Sequence, residues 1–363
     1  MNYRYATILA EVDLGAAGTK VIDLNIQDPI SRLEISYRPK LADMAMLRAL
    51  ADNITKVELV DGSDVLHSLD GCENQAVLLY DRRVKTLNSA MLWNGAYSDA
   101  LLGIDFGRYL YDPELAFDPT KFRNPQLKIS HDRARIGATT TNHNLEIFAR
   151  CFDEKAISPI GFLMAKEHYS CVIAADNAFE YVDLPTDHPI RQMLVRGWHT
   201  RIDPTDVVDH LRLSEDNDKR IPFDCNLEFY VNRMKGEWQI LQEGLIEYID
   251  PGESYNKFVT PTDEFTTYLA NCQAGAQNLG YTDNIRGGYV RRINSGGGTV
   301  GSVGIVTGYL PHHCIQIPFG NQQDLNDWYD VTRLGSLRAR LQAAANFGSG
   351  SEISIILQQL RRY

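Results

Sequence analysis

Apolar residues in this chain recur at every second position, in short runs cut by Gly, Pro, Asn and Asp clusters, and that pattern commits most of it to β-strands. The runs include LEISYRP (33–39), ITKVELV (54–60), QAVLLYD (75–81), PQLKIS (125–130), NLEIFARCF (144–152), YSCVIAA (169–175), HLRLS (210–214), NLEFYV (226–231), GIVTGYL (304–310) and SEISIILQQL (351–360). In ITKVELV, Ile54, Lys56, Glu58 and Val60 fall on one face and Thr55, Val57 and Leu59 on the other, and the DGSD turn that follows predicts a hairpin. Helical spacing is confined to ADMAMLRALADN (42–53) and TPTDEFTTYLANCQAGAQNLG (260–280), where Thr262, Phe265, Leu269 and Cys272 share a face that ends at Gly280. Many short strands with sparse helix predict an all-β sandwich or barrel architecture.

The strand pattern is written twice. IDFGRYLYDPELAFDPTKF (104–122) is echoed by IPFGNQQDLNDWYDVTRL (317–334): Ile104, Phe106 and Gly107 align with Ile317, Phe319 and Gly320 at an offset of 213, and Asp118 with Asp330 at 212. Upstream, KVELVDGSDVLHSL (56–69) matches HLRLSEDNDKRIPF (210–223) at an offset of 154, and downstream LEIFARCF matches SEISIILQQ. Three elements in the same order predict a duplicated unit. The change of offset places about sixty extra residues in the second copy, at about 235–300, as a surface loop insertion. With Pro-containing joints at 156–162 and 184–190, the expected division is 1–157 and 158–363.

Composition and charge narrow the function. The 363 residues are 44% hydrophobic and 23% charged, and the net charge of −11 argues against a chain that works by neutralising phosphates, so no specific nucleic acid is expected. The basic pairs Arg82–Arg83, Arg291–Arg292 and Arg361–Arg362 read as solvated or interface patches. Glu11 and Asp13 follow the first short apolar run, and no stretch approaches the roughly 18 apolar residues of a membrane span. A soluble protein made in a cytoplasm is expected. Cys72, Cys151, Cys171, Cys225, Cys272 and Cys314 never form a CxxC pair and read as reduced, buried or incidental thiols.

The chemical motifs are weak. No GxSxG, HExxH, GxxxxGK or strand-borne GxGxxG occurs, and the glycine-rich 286–304, with GGGTVG, reads as a loop. His312, His313 and Cys314 are adjacent, but neighbours on a strand point to opposite faces and would not share an ion. Glu215, Asp216 and Asp218, with Asp61 and Asp64, are acidic turn residues of the kind that bind calcium, though outside any EF-hand pattern. A glycosidase would need two facing carboxylates, for which Glu146, Glu228 and Glu237 are candidates, with Glu146 and Glu228 at matching strand positions and aromatics to line a groove. That keeps open a two-domain β-sandwich that binds or hydrolyses carbohydrate.

Two sequential antiparallel units of roughly eight strands suit two tandem jelly rolls. IDFGRYLYDPELAFDPTKFRNPQLKISHD (104–132), AISPIGFLMAKEHYS (156–170) and EYVDLPTDHPIRQMLV (180–195) resemble the double jelly-roll major capsid proteins of tailless icosahedral viruses, the tectivirus, corticovirus and adenovirus-hexon lineage, and point to a bacteriophage. The resemblance covers about 50–230 and 305–360. It implies a structural protein without catalytic residues, cofactor or metal: a homotrimer whose six rolls form a pseudo-hexagonal tile of the virion capsid, synthesised in the host cytoplasm, with 235–300 as an outward tower. Implied partners are further trimers, a penton or minor capsid protein and an internal membrane. Candidate interface residues are the echoed turns, Phe106, Gly107, Arg108, Phe319 and Gly320, and the terminal Arg361, Arg362 and Tyr363.

Overall fold

The computed structural model describes residues 3–41, 46–92, 95–137, 140–155, 157–263, 266–271, 280–294, 298–345 and 347–363. The first part of the chain forms strands β1 (Tyr3–Asp13), β2 (Ala17–Asp23), β3 (Ile30–Leu41), β4 (Ile54–Asp61) and β5 (Asp64–Leu69), helix α1 (Gly71–Arg82), then β6 (Asn88–Leu92), β7 (Asp99–Asp105), β8 (Pro125–Asp132) and β9 (Thr140–Phe152). Strand order β1-β9-β3-β7 makes one sheet face and β2-β8-β4-β5 the other. From Ser31 onward burial along β3 alternates, so Leu33, Ile35 and Tyr37 point inward while Arg32, Glu34 and Ser36 point out. The inward residues meet Leu59, Phe106, Ile129 and Ile147 in one core.

The second part repeats this order: β10 (Gly161–Val172), β11 (Phe179–Leu184), β12 (Ile190–Trp198), β13 (Val208–Glu215), β14 (Arg220–Asn226) and helix α2 (Leu227–Met234). An excursion follows, with β15 (Leu241–Ile249), β16 (Ser254–Phe258), β17 (Thr266–Asn271), β18 (Gly280–Arg286), β19 (Tyr289–Asn294) and β20 (Val300–Gly308), before β21 (Cys314–Pro318), β22 (Leu337–Ala343) and β23 (Glu352–Arg362). Orders β10-β23-β12-β21 and β11-β22-β13-β14 reproduce those of the first part strand for strand. Met193, Val195, Leu211, Ile315, Leu341 and Ile355 fill the second core. The register is copied too: Ile35 sits opposite Ile147 and Leu102, and Val195 opposite Ile355 and Ile315. Two eight-stranded jelly rolls in tandem therefore make up the fold, as the duplicated sequence predicts.

The two rolls are joined along one seam. Ser68 of β5 bridges Lys166 of β10 in parallel, and β6 pairs in parallel with β15, which continues the first outer sheet into β20 and β17. The excursion also leans on the first roll, since Leu245, Val259, Val290 and Val306 join its core.

Several local expectations are overturned. QAVLLYD is helical, within α1, and in NLEFYV the residues after Asn226, the N-cap, are helical and open α2. Asp70 caps α1 with a full capping box, its side chain accepting from the Glu73 N–H while the Glu73 side chain accepts from the Asp70 N–H, and Asn226 caps the Phe229 N–H at α2. Of 42–53, only Leu50–Asn53 form a single 3-10 turn, and residues 42–45 lie outside the described residues. The helix expected over 260–280 is contradicted by β17, with 264–265 and 272–279, hence Phe265 and Cys272, outside the described residues. The glycine-rich 286–304 is largely the β18–β19 hairpin and β20, with 295–297 outside the described residues. In β4 a bulge between Ile54 and Lys56 turns both Ile54 and Val57 inward, so the simple two-face assignment fails there. The DGSD hairpin is present, joining β4 to β5.

Candidate assembly surfaces

Helix α1 is the wedge between the rolls. Its residues Gly71–Leu79 are all buried, because one side packs on its own roll and the other on the outer face of the second roll's β10-β23-β12-β21 sheet. Val77 and Ala76 fill that contact with Ala165, Leu194, Cys314 and Ile356. Polar groups fix its ends. Asp81 accepts from Arg191 Nη1 (2.6 Å), Gln192 Nε2 (2.9 Å) and Gln358 Nε2 (2.6 Å), all with little exposure. At the other end Arg196 donates to Asp70 (2.7 Å) and Glu73 (3.4 Å). Burial disfavours the Asp70 charge, but the Arg196 guanidinium and the Glu73 N–H outweigh it and hold the carboxyl below its ordinary value. Burial, then the Asp70 charge, push Glu73 well above its own. Tyr80 donates to the Cys314 carbonyl and Gln75 meets His312 at 2.8 Å. Such a network requires its partners, because a carboxylate or guanidinium left alone there would keep its desolvation cost.

The echoed corners are the same structure made twice. Asp118 accepts from Thr120 N–H and hydroxyl (3.0 and 2.7 Å), and Asp330 from Thr332 N–H and hydroxyl (3.1 and 2.6 Å). Both glycines are fixed by crowding: a Cβ on Gly107 would lie 2.7 Å from Asp112 Cβ, and one on Gly320, at φ +66°, would lie 2.0 Å from the Asp327 carbonyl oxygen. Phe106 is fully buried, and Phe319 packs against Tyr329 at the edge of the second core. Arg108 grips Asp112 through two bonds (2.7 and 2.9 Å), bonds Glu114, and crosses to the second corner at the Gln323 carbonyl (2.8 Å). Leu115, Leu163, Trp328 and Leu360 close the apolar contact between the corners. At the C-terminal strand Arg361 pairs with Asp64 (2.6 Å), Arg362 is exposed, and the Tyr363 hydroxyl is held between the Asp118 N–H and the Ala116 carbonyl.

The rolls differ in what is covered. In the second roll β12 is buried on both faces over Ile190–Gly197, because α1 lies on it. The corresponding β3 keeps its outer residues part-exposed, and across β9 from it Tyr5 of β1 is 52% exposed, stacked on Phe148 (4.7 Å) and under Arg150. Helix α2 stands where α1 stands in the first roll, yet only Leu227 and Val231 are buried and Phe229 is 65% exposed.

The remaining sequence candidates lie apart. Glu215 is buried and bonded by Tyr329 and Arg220 (2.5 and 3.0 Å), Asp216 accepts from the Gly335 and Ser336 N–H groups, and Asp218 pairs with Ser214 and Arg212. Asp61 accepts from the Arg123 and Asn124 N–H groups. Among the described residues no three His, Cys, Asp or Glu side chains cluster as a metal site. His312 and His313 occupy a left-handed turn ahead of β21 rather than a strand. Glu146 sits on β9 of the first roll, whereas Glu228 is on α2 and Glu237 just beyond it, so the matching strand positions assigned to Glu146 and Glu228 do not exist. Cys72, Cys151 and Cys314 are buried thiols, Cys171 and Cys225 are half-buried, and all five are free. Among the described residues no helix is long and apolar enough to cross a membrane. Sequence reading missed Asp81, Arg191, Arg196 and Gln358; the one available signal was the capping-box spacing of Asp70 and Glu73, which marks α1 as a helix.

Two topologically identical sandwiches in tandem make this a double jelly-roll fold. Solved structures share it over nearly the whole chain: the major capsid protein of STIV, Sulfolobus turreted icosahedral virus (TM-score 0.60, 12% identity, 99% of this chain and 98% of that one), the major capsid protein P2 of bacteriophage PM2 (0.55, 9%, 99% and 98%) and the PBCV-1 virus capsid (0.59, 9%, 98% and 94%). No protein-family model and no curated protein matches the sequence.

Proposed function

We propose that this chain is a major capsid protein that forms pseudo-hexagonal homotrimers tiling an icosahedral shell. One observation carries the reading: the junction that α1 makes on the second roll has a topological copy, α2 and the first roll's outer sheet, and among the described residues both halves of that copy are left exposed or part-exposed. An interface whose two sides lie on different parts of the same chain is heterologous, so each copy that binds leaves a free side until a ring closes. Three copies supply six rolls, the number that closes a hexagonal outline. The capsid proteins that share the fold support the same role. In this reading residues 1–157 and 158–363 are the two rolls, 235–300 forms an outward tower, and the corners around Arg108 and Gly320 with Arg361 and Arg362 lie at contacts in the shell.

Light scattering after size-exclusion chromatography tests this. The expected particle has three times the 41.0 kDa chain mass and assembles further. A chain that stays monomeric at assembly concentrations, or that binds or cleaves glycans as a monomer, overturns it.

A further inference from the structure

The duplication gives a residue-by-residue register for the missing contact. Pro29 and Pro189 accept equivalent backbone bonds from Phe152 and Leu360, and Ser31 and Arg191 accept from Phe106 and Phe319, so β3 and β12 align at a fixed offset of 160. Tyr5 pairs with Arg150 as Ala165 pairs with Gln358, at the same offset of 160 in β1 and β10. The helices align through their caps, Asp70 with Asn226, and through their anchors: the Asn74 side chain bonds Gly103 of β7, and the Tyr230 hydroxyl bonds the carbonyl of Gln316, its counterpart in β21. Val77 therefore corresponds to Arg233, and Glu73 to Phe229.

Transferring the α1 contacts through this register, we infer that α2 docks on the outer β1-β9-β3-β7 face of a second copy, with Arg233 set against Glu34 beside the stacked Tyr5 and Phe148 rings of that copy. This rests on the trimer reading above and assigns its contact. Val77 lies among Ala165, Leu194 and Ile356, whose counterparts are Tyr5, Glu34 and Phe148. An apolar contact in one junction becomes a charged and aromatic one in the other. The chemistry is complementary: among the described residues Arg233 meets no carboxylate, bonding only the Phe229 carbonyl and Cys225 Sγ, while Glu34 has outward oxygens shared with Arg150 and Tyr5. Glu237 follows the same logic. The Lys235 and Trp238 N–H groups carry the helical turn past Met234, which makes Glu237 the counterpart of Asp81 and sets it against Arg150, the counterpart of Gln358. The exposed Phe229 supplies apolar area that covers the pair from water. Different chemistry at the two junctions also keeps α1 and α2 from exchanging sites.

The test uses the full-length chain. Arg233→Glu, an exposed substitution expected to shift the monomer's thermal melt only slightly, is expected to weaken each contact about tenfold. Because a closed trimer makes the contact three times, the overall trimerisation constant falls about a thousandfold. In Arg233→Lys the new amine lies within reach of Glu34, so carbodiimide coupling of mixed light and heavy isotope-labelled protein is expected to give an amide between position 233 of one copy and Glu34 of another. Trimers that form with wild-type affinity in Arg233→Glu, with couplings elsewhere, overturn this contact and leave the trimer reading intact. A wild-type chain that is monomeric overturns both.

Discussion

Removing the Asp81 carboxylate should loosen the seam between the rolls more than any exposed charge can. Arg191 and Asp81 are 3% and 4% exposed and 2.6 Å apart, and Gln192 and Gln358 also donate to the same carboxylate. At an effective dielectric near 20, two charges about 4 Å apart attract by roughly 4 kcal/mol. Deleting one partner of a buried pair costs about 3–5 kcal/mol, because the survivor stays desolvated. Among the described residues Asp81→Ala leaves Arg191 only the Gln358 side-chain oxygen, the Gln322 carbonyl and the Trp328 ring, all neutral. With a urea slope of about 2 kcal/mol/M, the unfolding midpoint should fall by about 1.5–2.5 M. Tryptophan fluorescence is a suitable probe, since Trp238 and Trp328 sit beside the network. The control is Asp64→Ala, which breaks the Arg361 pair at 25% and 47% exposure and should cost less than about 1 kcal/mol. Equal midpoints for Asp81→Ala and Asp64→Ala would refute the claim that this network holds the rolls together. The double variant Asp81→Leu with Arg191→Met should recover most of the loss, since burying neither charge avoids both desolvation costs.

Acid should weaken the same region. Burial lowers His67 and His312 to about 3, so as pH falls the unfolded chain takes up their protons first; stability is complete above about pH 6.5 and declines below it. Each contributes about 2 kcal/mol of loss by pH 5, measurable as a urea midpoint that falls from pH 7.5 to pH 5 and is partly restored by His67→Gln. Gly320→Ala, whose Cβ would strike the Asp327 carbonyl from a left-handed backbone, should cost about 3 kcal/mol or more, against about 1–2 for Gly62→Ala, which has the same backbone sign and open space; similar melting losses for the two would show that crowding at the corner is unimportant. Asp118→Ala and Asp330→Ala should each cost about 1 kcal/mol by losing equivalent Thr caps, and unequal losses would argue that the corners are not equivalent.

Much of the fold was legible because the alternating pattern reports which strand face is buried, and because the corners carry side chains that act locally. Asp118 and Asp330 bond threonines two residues on, and Gly320 is needed for a turn built from its own neighbours, so sequence order alone preserves the echo. The helices were misread for a related reason: a seven-residue apolar run such as QAVLLYD has no decisive period, and α1 is buried on both sides, which erases the polar face that would have marked it.

What the sequence determined by itself was an all-β chain, written twice, with an excursion in the second copy. What the tertiary structure alone decided was which outer sheet is covered and which is bare, and that Asp81 meets Arg191 across 110 residues of chain. Periodicity specifies a strand's inward face, because burial in its own core acts on neighbouring positions. Contact between two finished sandwiches depends on surfaces assembled from distant strands, and no local spacing encodes those.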